Sequence, residues 1–193
     1  MSNYQIYHVD AFTKVLNQGN PAGVVFLDEA LDDKTMQNLA HQLDYPETAF
    51  ILKSTSPLYQ YEIRYFTPLI EVPLCGHATI AAFYTLAKIN KLAPQKIKFK
   101  TNVGILDVDI TLNHDDYLIA MSQSNVNVEE PLDNVVIDRI LAALKLNPEY
   151  LDNHLPVASA ACGNPKIMLP ITSFDVLLEL DPDFDVLKQI SYD

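Results

Sequence analysis

Residues 76–89 are apolar nearly all the way round a helix, because Ala78, Ile80, Ala81, Ala82, Phe83, Leu86 and Ala87 leave no broad polar face. Such a helix is stable only where its own domain encloses it. The neighbouring segments that must do the enclosing are strands. Residues 4–12 are rich in β-formers, 24–27 are fully apolar, and 48–52 form a short apolar run. Tyr59, Tyr61, Ile63 and Tyr65 alternate with Gln60, Glu62 and Arg64, the period-two pattern of a half-buried strand. Further strands are predicted at 96–101, 105–111 and 117–122, joined by turns at 102–104 and 113–116. Behind an Asp32 N-cap, Met36, Leu39, Ala40 and Leu43 recur at amphipathic helical spacing. The expected first domain is therefore an α/β fold of the α+β kind, a mostly antiparallel, barrel-like sheet around one central helix.

Residues 125–133 are polar, contain Pro131 and read as a linker, which divides the chain into domains 1–126 and 127–193. Beyond it, 135–144 is predicted helical with Val136, Ile140, Ala143 and Leu144 on one stripe. Strands follow at 155–160 and 166–171, then short helices at 174–180 and 184–190. An internal repeat links the two parts. Val9-Asp10-Ala11 leads through a Gly19-Asn20-Pro21 turn to Val24-Val25-Phe26-Leu27. Val157-Ala158-Ser159-Ala160 leads through Gly163-Asn164-Pro165 to Ile167-Met168-Leu169. The pattern points to a duplicated fold, with turn composition alone as the competing explanation. Carried across from Pro165, the counterpart of Glu47 falls at about residue 191 and that of His77 beyond the final residue, so the second copy is expected to be incomplete.

Charge narrows the partners. Twenty-five acidic residues against 13 basic give a net charge of −12, which disfavours nucleic acid and anionic membranes. The excess lies entirely from Asp107 onward, where 16 acidic residues face 4 basic ones, and reads as a solvated acidic surface. Lys88, Lys91, Lys96, Lys98 and Lys100 are interrupted by Pro94 and include no Arg, so they read as an exposed helix and strand edge. The most apolar run, 78–87, is too short to span a bilayer, and the first ten residues are polar. Cys75 and Cys162 form neither a disulfide framework nor a Cys-x-x-Cys pair, so a reducing cytoplasm is the expected compartment.

Chemistry concentrates between residues 47 and 79. Glu47 is the only acid between a helix end and an apolar strand. Partial desolvation there suits a carboxylate to general acid–base work; the competing role is a strand-edge Glu facing water or capping backbone. Leu74-Cys75-Gly76-His77-Ala78-Thr79 opens the buried helix. Gly76 allows close backbone approach, and the free N–H groups of His77 to Thr79, Ala78 included, point out of the helix start and suit a carboxylate. His77 is a donor or proton shuttle, or else a local cap. Cys75 is either an acid–base thiol or a small buried hydrophobe. Asn20 is a substrate contact or a turn residue. His8, His41, His114 and His154 show no metal-ligand spacing, and no phosphate loop, dinucleotide fingerprint, serine elbow or zinc motif is present.

Val9-Asp10-Ala11-Phe12-Thr13, Gly19-Asn20-Pro21-Ala22-Gly23-Val24, Glu47-Thr48-Ala49-Phe50, Arg64-Tyr65-Phe66-Thr67-Pro68, and Glu71 followed by Leu74-Cys75-Gly76-His77-Ala78-Thr79 stand in the order seen in PhzF-like phenazine-biosynthesis proteins, which the chain resembles. The resemblance implies the diaminopimelate epimerase-like fold: two similar domains, each a barrel-like sheet around a central helix, with the site in the cleft between them. It implies a cofactor-independent isomerase that moves a proton on a small carboxylate-bearing substrate; from the residues themselves no metal is expected. Glu47 falls on the catalytic glutamate, Gly76 and His77 on the Gly-His pair, and Cys75 where related epimerases place a thiol. The family's late Gly-Ser-Ala segment, which supplies the opposite wall, is absent. The resemblance thus leaves two expectations, an active isomerase or a truncated, inactive member that folds and self-associates as a homodimer.

Overall fold

The computed structural model describes residues 4–123, 126–162 and 165–192, and its internal contacts divide the chain into two units, 1–123 and 124–193. In the first unit β1 (Gln5–Ala11), β2 (Asn20–Leu27), β3 (Glu47–Lys53), β4 (Tyr61–Phe66), β6 (Gln95–Thr101), β7 (Gly104–Asn113) and β8 (Asp116–Met121) lie side by side, and the short β5 (Glu71–Val72) pairs with β4. Pairing is antiparallel except between β2 and β3 and between β4 and β6.

Alternation along the strands sorts the side chains onto two faces. Ala22, Val24, Ala49, Ile51, Ile63 and Tyr65 pack with Ala78, Ala82, Phe83 and Leu86 of α2 (Gly76–Asn90). Val25, Leu27, Phe50 and Phe66 pack instead with Met36 and Ala40 of α1 (Asp33–Leu43). The Asp32 carboxylate accepts from the Thr35 amide at 2.9 Å and caps α1. Helix α2 touches β1 and β8, the two ends of the sheet, so the sheet curls about it as a half-barrel. The apolar girth of α2 demands this enclosure. Between β1 and β8 runs a groove of about 390 Å³ whose lining includes Val9, Ala11, Ile80, Tyr84 and Ile119.

In the second unit β9 (Asn127–Pro131), β10 (Ala158–Ala161) and β11 (Lys166–Met168) form an antiparallel sheet in the order β11-β10-β9. Helix α3 (Asn134–Leu144) packs with α5 (Phe184–Ile190) through Ile140, Ala143 and Ile190. Helix α4 (Phe174–Leu178) lies between them in sequence.

Two expectations need correction. Asn20 and Pro21 belong to β2 rather than to a turn, because Pro21 sits before the β3 pairing begins and its missing N–H costs little there. The segment expected as a linker contains β9, with Pro131 at its last position opposite Ala158; its Asn125 lies outside the described residues. The two-residue β5 carried no periodic signal. Both halves of the repeat do contain an antiparallel hairpin, β1–β2 and β10–β11, although Gly163 and Asn164 lie outside the described residues. The basic cluster is neutralised across the sheet: Lys96 meets Asp109 at 3.2 Å and Lys98 meets Asp107 at 2.8 Å, each directly opposite in register.

Asp116 accepts from Lys88 (2.8 Å), Tyr84 (2.9 Å) and the Tyr117 amide (2.8 Å). The Lys88 hydrogen bond first, then the Tyr117 amide, holds its carboxyl down at about 2 from the ordinary 3.8. A depressed carboxyl stabilises the fold above its unfolded value and loses that contribution as pH falls. Urea midpoints are therefore expected to drop between pH about 4 and about 2, and Asp116→Asn is expected to flatten that part of the profile.

Candidate functional site

Glu47 opens β3, where it pairs in parallel with Ala22 of β2. Ala49 and Ile51 pack on the α2 side of the sheet, so the same alternation turns Glu47 toward the start of α2. That helix start is reached by a short route. Strand β4 ends in a turn where the Thr67 amide donates to the Ile70 carbonyl (2.8 Å), and the chain returns as β5. Arg64 clamps the route with a bidentate grip on Glu71 (2.7 and 2.6 Å) and a third bond to Asp33 (2.6 Å). Glu71 is held below the ordinary carboxylate range chiefly by that Arg64 hydrogen bond. Arg64 and Glu71, both in the motif set, thus serve to aim the chain into α2.

Cys75 is the N-cap of α2 and makes no side-chain cap bond. Its carbonyl is fixed from beneath, since Thr79 Oγ1 donates to it at 2.7 Å. The Tyr65 hydroxyl lies 2.6 Å from Thr79 Oγ1, and because the Thr79 proton is already committed, Tyr65 donates. Burial pushes the Tyr65 hydroxyl well above the ordinary phenol range, so it remains a donor. The first intrahelical bond runs from the Thr79 amide to Cys75 O at 3.0 Å, so the Thr79 amide, the fourth of the helix, is occupied and not open as expected. The amides of Gly76, His77 and Ala78 precede it and have no acceptor within the helix.

Above these amides the imidazole of His77 lies between two other groups. Its Nδ1 is 3.4 Å from Cys75 Sγ, and its Nε2 is 3.4 Å from Glu47 Oε2. The side chains of His77 and Glu47 are 11% and 25% exposed, so the site is enclosed but reachable. Ligand-type atoms of Glu47, Cys75 and His77 all lie within 4.8 Å of one another. No metal-ligand spacing was visible in the sequence, because Glu47 joins the cluster from a different element.

A Cβ added to Gly76 would meet only Gln123 Nε2, at 3.6 Å, whereas one at Gly19 would strike the Ala11 carbonyl at 2.5 Å. Gly19 is demanded by packing; Gly76 leaves open space over the helix start. Asn20 opens β2 opposite Ala11, is exposed, and lies two residues before the Ala22–Glu47 pair. His8 pairs with Asp10 (3.2 Å), and His41 Nδ1 lies 3.2 Å from the Pro68 carbonyl, which are structural roles. Tyr65 and Thr79 were missed as supports of the site, although Thr79 stands four residues after Cys75 and Tyr65 is in the inward phase of its strand.

A half-barrel closed on an apolar helix, with an acid, an imidazole and a thiol gathered at the helix start, defines a mixed α/β fold of the epimerase-like class. The chain belongs to the phenazine biosynthesis-like protein family, whose profile matches residues 9–193. A protein of Clostridium acetobutylicum named as an uncharacterized isomerase is 39% identical over 188 residues, covering 97% of this chain and 62% of its own length. YddE of Escherichia coli, also named an uncharacterized isomerase, is 40% identical over 187 residues, with 97% and 62% covered. This chain thus spans 62% of the length of these curated relatives. The crystal structure of a PhzF-family phenazine biosynthesis protein of Bacillus anthracis superposes with a TM-score of 0.82 at 31% identity, over 98% of this chain and 64% of that one. A predicted epimerase of Pseudomonas aeruginosa superposes at 0.86 with 22% identity, covering 98% and 67%, a likeness of fold alone. Among the described residues no helix is long and apolar enough to cross a membrane.

Thr79→Val removes the donor to the Cys75 carbonyl and the acceptor of a buried Tyr65 hydroxyl, and is expected to cost about 1–3 kcal/mol in urea unfolding. Gly76→Ala meets only ordinary van der Waals contact and is expected to stay within about 0.5 kcal/mol of the parent.

Proposed function

We propose that this protein is an isomerase that moves a proton on a small carboxylate-bearing substrate by acid–base catalysis. The observation that carries the reading is the Glu47–His77 contact at 3.4 Å beside the open amides that begin α2. Glu47 takes a proton from a substrate carbon and returns it at another position. The amides of Gly76, His77 and Ala78 receive the substrate carboxylate at the positive end of the helix, and Gly76 leaves the room for it. His77, set between Cys75 and Glu47, donates to developing charge or passes a proton between the two. Cys75 is the second candidate acid–base group, and Asn20 supplies a polar contact from the start of β2. The names of the relatives support the isomerase class.

The test follows hydrogen exchange at carbon by NMR in heavy water, across a panel of small amino, hydroxy and unsaturated carboxylic acids. Glu47→Gln is expected to abolish exchange while circular dichroism stays unchanged. Full exchange in that variant would remove Glu47 from the mechanism. Gly76→Ala is expected to raise KM several-fold through crowding of the carboxylate, with little change in thermal stability.

A second reading, a non-catalytic protein that self-associates, is favoured by the groove between β1 and β8. Phe12, Leu16 and Leu118 are 74%, 73% and 56% exposed, and in the described residues nothing pairs with the outer edges of β1 and β8. Unpaired edges and apolar patches favour association. Sedimentation is expected to show a dimer at micromolar concentration, and a monomer throughout that range would overturn the homodimer.

A further inference from the structure

Relying on the isomerase reading only for the place of the carboxylate, we propose that Tyr65 and Thr79 are positioning residues for substrate binding. In series they polarise the Cys75–Gly76 peptide group and make the Gly76 amide the strongest carboxylate donor of the site. The Cys75 carbonyl and the Gly76 N–H are the two ends of one planar peptide unit and point in opposite directions along the helix. The carbonyl accepts twice, from the Thr79 amide at 3.0 Å and from Thr79 Oγ1 at 2.7 Å. Thr79 Oγ1 in turn accepts from the Tyr65 hydroxyl at 2.6 Å. Each dipole in this chain runs the same way, and its positive end is the Gly76 N–H. Tyr65 and Thr79 are both fully buried, and in a low dielectric each member of such a chain strengthens the next. Burial also keeps the Tyr65 hydroxyl protonated, so the chain cannot reverse.

The same helix supplies an internal comparison. Thr85 Oγ1 donates to the Ala81 carbonyl at 2.8 Å, again four residues back. The N–H of that peptide unit belongs to Ala82, inside the helix ladder, where polarisation passes to another backbone carbonyl. The Gly76 N–H has no acceptor within the helix, so what the hydroxyl chain adds there is available to a ligand. A separate observation marks this end of α2 as a ligand's place. His77 Nε2 is buried and makes no hydrogen bond among the described residues, and a buried polar atom of this kind calls for a partner. Gly76 itself leaves open space on the approach, with only Gln123 Nε2 bordering it.

The experiment titrates the nitrogen-15-labelled full chain with sodium acetate, with chloride holding ionic strength constant, and follows amide cross-peaks by NMR. The Gly76 and Ala78 peaks are expected to move saturably in the wild-type chain. Thr79→Val is expected to raise the acetate Kd about two- to fivefold and to move the Gly76 amide proton upfield before acetate is added. Tyr65→Phe, which removes only the upstream donor, is expected to act in the same direction with smaller size. Thr79→Ser keeps the hydroxyl and is expected to restore the wild-type Kd. Thr85→Val removes an equivalent buried back-bond and is expected to leave the Kd unchanged, which a merely structural role for these hydroxyls does not predict. Should Thr79→Val fail to fold, Tyr65→Phe alone decides. A Kd unmoved by Thr79→Val and Tyr65→Phe, an equal loss in Thr85→Val, or no saturable movement of Gly76 in the wild-type chain would overturn the proposal.

Hydrogen exchange at carbon separates this from the isomerase reading. Graded acetate affinities without exchange in any acid of the panel leave the positioning role standing and remove the isomerase. Exchange in the wild-type chain with acetate affinity indifferent to both hydroxyls does the reverse. For an acid that does exchange, Thr79→Val is expected to raise KM with kcat nearly unchanged, the mark of a lost binding interaction.

Discussion

Enclosure of α2 is the constraint on which the rest of the first unit depends. A helix apolar around most of its girth gains stability from every direction it is covered, and one flat sheet covers only one side. The curled sheet answers this by bringing both of its end strands, β1 and β8, against the helix. Phe83, Phe99, Ile63 and Val108 are fully buried as a result. The site follows from the same arrangement. A buried helix must still begin somewhere, and its first amides lack partners inside the helix. Here the beginning is at Cys75, where the sheet delivers Glu47 from β3 and the Arg64 clamp delivers the chain from β5.

The organisation of the site separates holding from acting. Tyr65 and Thr79 are fully buried and commit their hydroxyl protons in series to the Cys75 carbonyl. Arg64, Glu71 and Asp33 form a charged brace on the other face of the sheet. The Thr79 hydroxyl meets Cys75 at its backbone carbonyl, and the Arg64 brace is built from residues outside the Glu47, Cys75 and His77 group. Preorganisation of this kind reduces the reorganisation needed when charge develops, and Gly76 leaves open space over the helix start.

Much of the scaffold was legible in the sequence because it is written in local periodicity. The girth of α2, the Asp32 cap, the alternation from Tyr61 to Tyr65 and the stripe on α3 each specify their element within a few residues. What was not legible depends on distant partners. Asn20-Pro21 looks like a turn until the antiparallel partner at Ala11 and Asp10 is known. β9 looks like a linker until Ala158 is placed opposite Pro131. The residues of the site were each visible as candidates, but the contacts that make them a group were not. Glu47 and His77 are thirty positions apart, and the register of β3 against β2 together with the Arg64-clamped return through β5 brings them within reach. The Tyr65–Thr79 support was hidden for a different reason: an inward Tyr and a buried Thr in the first turn of a helix look like ordinary packing.

The strand register carries one more consequence, for how such a chain can change. Residues on β3 alternate strictly between the α2 face, with Ala49 and Ile51, and the α1 face, with Phe50. A slip of one position exchanges the two sets. It would present Thr48 where the carboxylate now stands and drive Phe50 into the crowded side of α2. The position of Glu47 is thus protected by parity rather than by its own interactions. Substitutions along this strand alter the site by degrees, whereas a single inserted or deleted residue between Asp44 and Ile51 inverts it, and only changes in pairs restore the original phase.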